Sequence, residues 1–281
     1  MLRSFIQSLS GTVADSVQTV KSLLKVVLKS RKASISATSS REIIILGNGP
    51  SLNVTIEQNL NRLQSTDTMA VNFAANAPAF ATLRPNRYIL ADPHFFARNS
   101  SDSNLSSLIK NLASVTWRMT LYVPVGADVD KLIVENENIE IERFNFVGAD
   151  GFKPVIYRLY DKGLAMPRPR NVLIPAIMTA MKAGYKRIYL TGADHSWTRT
   201  LSVDEENTVI SVQPHFYEDN QTEKERVAAV YKEVKLHEIL LSFHIAFRSY
   251  HLIADYATSR GIEIYNATPG SFIDAFRRRC L

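Results

Sequence analysis

The sequence predicts an α/β fold, in which a single Rossmann-like, mostly parallel sheet carries helices on both faces and follows an N-terminal amphipathic helix. From about residue 41 onward, short β-branched runs alternate with longer amphipathic segments. This alternation is typical of parallel strands joined by helical crossovers. The chain has 281 residues, of which 46% are hydrophobic, so it is long enough to bury one substantial core.

The first 28 residues carry apolar side chains at steps of three and four, which places them on one face of a helix. No run is long enough for a membrane span. The apolar stripe therefore either lies on a membrane surface or packs on the protein's own core or on a second subunit of a homo-oligomer. It consists of Leu2, Phe5, Leu9, Val13, Val17, Val20, Leu24 and Val27.

The net charge of +6 is concentrated at the two ends of the chain. Residues 1–32 carry +5 and the arginines at 277–279 carry +3, which leaves −2 for residues 33–276. A nearly neutral body argues against a nucleic-acid groove, whereas the basic first segment favours attraction to an anionic membrane.

These patterns predict three units: a basic membrane-surface helix at 1–32, a small, polar linker at 33–40, and a catalytic domain at 41–281. The single cysteine, Cys280, excludes an intramolecular disulfide framework and favours a reducing compartment. We therefore expect a cytoplasmic protein that is peripheral on the inner face of the membrane.

Seven strands and several helices are predicted along the catalytic domain. The strands are Ile43–Leu46, Thr68–Val71, Arg87–Leu90, Met119–Val123, Ile139–Phe144, Arg187–Thr191 and Ile262–Tyr265. A polar, amphipathic segment runs to about Gln64, and helices are expected at 104–113, 172–183, 222–260 and 271–279.

Ligands of parallel sheets bind at the carboxyl ends of the strands. That rule marks four loops as the candidate site: Gly47–Leu52, Asn72–Asn76, Ala91–Phe96 and Gly192–Trp197. Three of them, which carry Asn48, Asn72 and Asp92, follow apolar strands that end in a polar group. We expect these loops to bind one ligand together.

The first of these loops reads Gly47-Asn48-Gly49-Pro50-Ser51. Its glycines allow close backbone approach to a phosphate or ribose, and Pro50 can begin the following helix. The third glycine of the dinucleotide fingerprint and the Gly-Lys-Ser/Thr of a P-loop are both absent. The loop therefore predicts a nucleotide contact, with a tight structural turn as the alternative.

Five segments of the chain together resemble the bacterial lipooligosaccharide sialyltransferases of glycosyltransferase family 42. The resemblance covers most of residues 41–276, and its first and last segments are the most specific. The first segment is also similar to 6-hydroxymethylpterin pyrophosphokinase-like proteins. The five segments are IIILGNGPSL, AVN at 70–72, DPHFF at 92–96, AGYKRIYLTGAD at 183–194 and GIEIYNATPGS at 261–271.

The resemblance implies a glycosyltransferase that moves sialic acid or a related acidic sugar from a CMP-linked donor, with inversion and without a metal cofactor. It implies a glycolipid, lipopolysaccharide or capsule polysaccharide as the acceptor. Asn48 and Asn72 match residues that contact the nucleotide, His94 replaces a third asparagine, and His195-Ser196-Trp197 replaces the expected tyrosines. The implied donor-binding residues are Asn48, Gly49, Ser51, Asn72, Asp92 and His94.

An ungapped match of the last segment places His244 on the family's catalytic histidine. A satisfied core histidine is the alternative, because His244 follows Leu240-Leu241-Ser242-Phe243. His251, seven residues later, is the reserve base, and His215, His195 and His94 are further candidates. Arg170, which matches with one residue gapped, is expected to neutralise the leaving phosphate together with His195 and Tyr217.

Two other functions remain open from the sequence. One is a pyrophosphokinase or another nucleotide-dependent transferase acting on a small molecule, and the other is a non-catalytic membrane-surface protein. Asp128-Val129-Asp130 has the form of a metal-binding D-x-D motif, but it follows a turn where acidic residues also favour the start of a helix.

Overall fold

The computed structural model describes residues 2–96, 102–129, 136–210 and 234–281, with the backbone alone for residues 2–13. Its centre is an eight-stranded sheet in which every neighbouring pair of strands is parallel. The strands are β1 (Glu42–Leu46), β2 (Asp67–Val71), β3 (Arg87–Ile89), β4 (Met119–Pro124), β5 (Ile139–Phe144), β6 (Arg187–Thr191), β9 (Glu263–Asn266) and β10 (Arg277–Arg278). Two short strands, β7 (Ser202–Val203) and β8 (Val209–Ile210), form a separate antiparallel pair.

Seven α-helices accompany the strands. They are α1 (Leu2–Lys29), α2 (Ser51–Ser65), α3 (Phe80–Leu83), α4 (Ser103–Ala113), α5 (Lys153–Asp161), α6 (Leu173–Ala183) and α7 (Leu236–Ser259) among the described residues. The predicted α/β class with a mostly parallel sheet is confirmed. All seven predicted strands occur at or within one residue of their expected bounds.

The sheet is buried on both faces. Ile43 and Ile45 of β1 belong to the main apolar cluster, whereas Ile44 and Leu46 belong to a second cluster with Leu52 of α2. This division follows from the strand geometry, because successive side chains point to opposite faces. A run of four apolar residues is therefore what a central strand of this sheet requires.

The strand order is β10-β9-β6-β1-β2-β3-β4-β5. The chain proceeds from β1 outward to β5 in one direction and then returns to place β6 on the other side of β1. The order thus reverses between β1 and β6. In open parallel sheets a crevice forms at such a reversal, outside the carboxyl ends of the two strands.

The helix predicted at 271–279 is wrong. This segment is irregular and ends in the short edge strand β10. The Arg278 guanidinium donates to the carbonyl oxygens of Thr268 and Ile273 at 3.1 and 3.2 Å, and Asn266 Nδ2 donates to the Ile273 carbonyl at 3.0 Å. The backbone carbonyls of Thr268 and Ile273 are thus bonded by side chains and not by the backbone N–H groups of a helix. Helix α5 was not predicted, and of the helix predicted at 222–260 the described part begins at Leu236.

Helix α1 forms as expected, and its second half packs on the body through Thr19, Ser22 and Val26. The predicted linker at 33–40 lies against the body too, where the Ser36 N–H donates to the Glu142 carboxylate at 3.1 Å. The division into three units stays a prediction, although these contacts attach the segments before residue 41 to the sheet. None of the described helices has the length and apolar character that a membrane crossing needs.

Candidate functional site

A cleft of about 390 Å³ opens at the carboxyl edge of the sheet, where the strand order reverses between β1 and β6. All four loops marked by the sequence contribute to its lining, together with the segment that precedes α6. Its volume lies within the range of small-molecule sites. The lining includes Asn48, Asn72, Asp92, Asn171 and Asp194.

The glycines of the first loop allow two backbones to meet. The N–H groups of Gly47 and Gly49 donate to the carbonyl oxygens of Thr191 and Gly192 at 2.7 and 2.8 Å. A Cβ on Gly49 would lie 2.0 Å from Asp194 Oδ2, closer than any packing allows. Because their N–H groups are already bonded, the glycines join the β1 and β6 loops, and Gly49 also lines the cleft, so its predicted contact with the donor stays a prediction.

Ser51 is engaged by the protein itself. Its Oγ donates to Asp194 Oδ2 at 2.7 Å, and Ser51 is not among the residues that line the cleft. This contact fixes a carboxylate, and the predicted contact of Ser51 with the donor stays a prediction. Asp194, which lines the cleft, is not among the site residues predicted from the sequence, although it lies in the predicted loop Gly192–Trp197.

Asn72 directly follows β2 and has a left-handed conformation, with φ 48°. The Tyr88 hydroxyl donates to the Asn72 carbonyl and accepts from the Ala75 N–H at 2.9 Å. Non-glycine residues seldom adopt this conformation, and Asn is among the few that tolerate it. The surrounding structure therefore holds Asn72 in a costly geometry at the cleft, as is common at binding sites.

Three amide side chains in the cleft each have one buried polar atom without a hydrogen-bond partner among the described residues: Asn48 Oδ1, Asn72 Oδ1 and Asn171 Nδ2. The orientation of Asn48 follows from its Nδ2, which donates to the Val71 carbonyl at 3.2 Å. Asn171 Oδ1 accepts from the Leu173 N–H at 3.0 Å, which leaves its Nδ2 as the unpaired donor. Unpaired buried groups are costly, so their convergence in one cleft indicates a polar ligand.

His195 forms part of the cleft wall, also in a left-handed conformation with φ 49°. Its Nε2 lies 2.6 Å from the Tyr250 hydroxyl, and that hydroxyl donates to Asn171 Oδ1 at 2.9 Å. Its ring stacks on Trp197 with centroids 4.1 Å apart. Burial lowers the pKa of His195 to about 3, so the imidazole is neutral near pH 7 and cannot supply the positive charge expected of it.

Positive charge near the cleft comes from other sources. Arg170 lines the cleft and is exposed, and it makes no ion pair among the described residues. Helices α2 and α6 begin at Ser51 and Leu173, next to cleft residues. Because helix N-termini carry partial positive charge, the cleft is suited to an anionic ligand.

His94 is not among the residues that line the cleft. His94 Nε2 lies 2.6 Å from Asp102 Oδ2, and the same carboxylate caps α4 through Asn104 N–H at 2.8 Å. His94 is thus engaged with the α4 cap, and its expected contact with the donor stays a prediction. Tyr217 and His215 lie outside the described residues, as does Asp130 of the D-x-D motif.

His244 is exposed on α7 and lines a separate groove with Phe247, Arg248 and His251. Phe247 lies against His195 and Trp197, with ring centroids 6.3 and 6.2 Å apart, and so separates this groove from the cleft. His244 is therefore not a core histidine. The reserve candidate, His251, has its Nε2 3.1 Å from Asp274 Oδ1 at the same groove.

No protein-family model and no curated protein sequence matches this chain. Among solved structures, the fold is similar to that of the MAf glycosyltransferase from Magnetospirillum magneticum AMB-1, with a TM-score of 0.51 and 10% sequence identity. The alignment covers 94% of this chain and 38% of that structure. The chain thus spans well under half the length of this neighbour and shares its fold.

Proposed function

We propose that this chain is a glycosyltransferase whose cleft binds a CMP-linked sugar and transfers an acidic sugar, such as sialic acid, to a glycolipid or polysaccharide acceptor. The three unpaired amide atoms of Asn48, Asn72 and Asn171 carry this proposal. The fold of a known glycosyltransferase and the sialyltransferase-like segments of the sequence support it.

The unpaired atoms define complementary groups on the donor. Asn48 Oδ1 and Asn72 Oδ1 accept hydrogen bonds and therefore suit ribose hydroxyls or an exocyclic amino group. Asn171 Nδ2 donates and suits a phosphate or carboxylate oxygen. A nucleotide carries both kinds of group, and a ligand that satisfies all three atoms recovers the cost of their burial.

The phosphate that leaves with the nucleotide would be stabilised by Arg170 and by the N-terminus of α6, both of which lie at the cleft. Guanidinium groups bind phosphate oxygens in a bidentate manner. The neutral His195 donates its single N–H, on Nε2, to the Tyr250 hydroxyl, so its ring has no proton left for the phosphate and would only line this part of the cleft.

The transfer requires a base for the acceptor hydroxyl. The hydroxyl oxygen attacks the anomeric carbon and loses its proton to the base, while the bond from that carbon to the phosphate oxygen breaks and its electron pair leaves with CMP. Asp194 is the base that the geometry favours, because it lines the cleft and Ser51 fixes its carboxylate. His244, which the sequence resemblance favours, is the competing candidate from the neighbouring groove.

The proposed site for the CMP-linked sugar is tested by a substitution that turns one hydrogen-bond donor of the protein into an acceptor. Asn171→Asp keeps the Oδ1 acceptor for Leu173 and Tyr250 but replaces the free N–H donor with a carboxylate oxygen. We expect it to weaken CMP binding by about 1–3 kcal/mol, measured by isothermal titration calorimetry. Asn61→Asp, at an exposed position of α2, is the charge-matched control and should bind CMP like the parent chain.

Equal CMP affinity in the Asn171→Asp and Asn61→Asp variants would contradict the proposal that the CMP-linked sugar binds at Asn171 in the cleft. Titration of the parent chain with ATP in place of CMP tests the function class. Tighter binding of ATP would favour the pyrophosphokinase-like alternative, and binding of neither nucleotide would favour a non-catalytic protein.

A further inference from the structure

Helix α1 is attached to the body through Thr19, Ser22 and Val26, and the stripe residues among its described side chains, from Val17 onward, face away. Val20, Leu24 and Val27 are 57%, 58% and 78% exposed. At 3.6 residues per turn these side chains share one face, which Val17 and Leu28 extend, whereas the buried Thr19 and Ser22 lie on another. The described part of the stripe, from Val17 to Val27, therefore does not pack on the core of its own chain.

Buried hydrogen bonds fix this orientation. Ser22 Oγ donates to the Asp150 carbonyl at 2.7 Å and accepts from the Asp150 N–H at 3.0 Å. Thr19 Oγ1 accepts from the Phe152 N–H at 2.7 Å. A Cβ on Gly151 would lie 2.3 Å from Thr19 Oγ1. Turning the stripe inward would break these bonds and would leave buried backbone groups unpaired.

The outward stripe is flanked by positive charge. Lys21, Lys25 and Lys29 are exposed and follow one another along one side of the helix. No carboxylate of the described residues forms an ion pair with any of them. Asp15 is the one acidic residue in the first 32 positions.

We propose that this face of α1 docks in the plane of an anionic lipid bilayer, with the stripe in the acyl boundary and the three lysines at the headgroups. A second copy of the chain fits the face less well. An antiparallel two-fold pair through the stripe would bring each lysine flank close to its own copy, and a parallel pair would place the two flanks on opposite sides. An anionic membrane complements both the apolar and the basic part of the surface.

The buried side of α1, opposite the docking face, is connected to the cleft through a single loop. Thr19 and Ser22 bind residues 150–152, and Phe146 earlier in that loop lines the cleft. Docking would therefore hold the cleft close to the bilayer. If the proposed function holds, a lipid-linked acceptor could reach the donor without leaving the membrane.

The test is co-sedimentation of the full chain with vesicles of phosphatidylglycerol and phosphatidylcholine, compared with phosphatidylcholine alone. We expect binding to the anionic vesicles. Leu24→Asp should weaken it by about 10- to 100-fold, and joint replacement of Lys21, Lys25 and Lys29 by Gln should weaken it by about 100-fold. These side chains are exposed, so unfolding curves should stay unchanged.

Matched control variants separate the surface from general charge and polarity. Val54→Asp replaces a valine that is 44% exposed on α2, and joint replacement of Lys110, Lys162 and Lys186 by Gln removes three exposed lysines elsewhere. Both should bind vesicles like the parent chain. Absence of parent binding, or equal loss in the α1 variants and the controls, would overturn the proposal.

The second-copy alternative has its own outcome. If sedimentation velocity without lipid shows a dimer that Leu24→Asp dissociates, the stripe is a subunit interface and the membrane proposal fails. CMP affinity is measured on the same variants. If Leu24→Asp retains the CMP affinity of the parent chain, failure of the membrane proposal would leave the proposed function intact.

Discussion

Replacing Asp194 by Asn is expected to lower the turnover of a CMP-linked sialic acid by about 10²- to 10⁴-fold, the range contributed by a general base. The substitution keeps an oxygen that can accept from Ser51 Oγ, which lies 2.7 Å from the carboxylate, so the loop should retain its conformation. It removes the group that takes the acceptor proton. The measurement is the steady-state kcat for release of CMP.

His244→Asn is the comparison that separates the two candidate bases. His244 is exposed and lines the groove beyond Phe247, so we expect its variant to keep turnover within about tenfold of the parent chain, far above the range for loss of a base. CMP affinity should stay unchanged in both variants. A normal kcat for Asp194→Asn together with a large loss for His244→Asn would return the base to His244, as the sequence resemblance implies.

The second large effect concerns stability against pH, and it arises from His195. Burial lowers the pKa of this histidine to about 3 in the folded chain, whereas an unfolded histidine titrates near 6.5. Between these values the unfolded chain binds the additional proton. The stability contributed by the neutral imidazole is therefore present above about pH 6.5 and is lost as the pH falls toward 3. Between pH 7 and pH 4.5 this loss is about 2–3 kcal/mol.

Urea unfolding of the parent chain and of His195→Asn at pH 7 and pH 4.5 measures this contribution. Asn tolerates the left-handed backbone at this position, although the variant loses the stacking on Trp197 and should be less stable at both pH values. Between pH 7 and pH 4.5 the free energy of unfolding should fall less in this variant than in the parent chain, and the difference between the two falls should be about 2–3 kcal/mol. His237→Asn, at an exposed position, should fall like the parent. An unchanged pH dependence in His195→Asn would show that the ring is not buried and neutral.

The strands and the cleft loops could be predicted from the sequence because their signals are local. A central strand of a parallel sheet is buried on both faces, so it appears in the sequence as an unbroken apolar run such as Ile43–Leu46. The polar residues that follow such runs meet at one edge because parallel strands all end there. Asn48, Asn72 and Asp92 were found in this way and line the cleft.

The remaining features depend on contacts between distant parts of the chain. Asn171 carries no motif, and its importance follows from Tyr250, 79 positions later, which fixes the orientation of its amide. The periodicity of α1 identifies an apolar face but not the face that packs, which depends on Ser22 and Asp150, 128 positions apart. The sequence also does not reveal that the Gly49 N–H bonds to the Gly192 carbonyl and that Ser51 Oγ bonds to Asp194, 143 positions later.

A crystal structure of the chain with CMP bound tests the central claim most directly. We expect the nucleotide in the cleft between β1 and β6, with its oxygen and nitrogen atoms within hydrogen-bond distance, 2.7–3.2 Å, of Asn48 Oδ1, Asn72 Oδ1 and Asn171 Nδ2. We also expect its phosphate near Arg170 and the N-terminus of α6. A nucleotide bound in the groove beside His244, or anywhere that leaves these three amide atoms unpaired, would contradict the account.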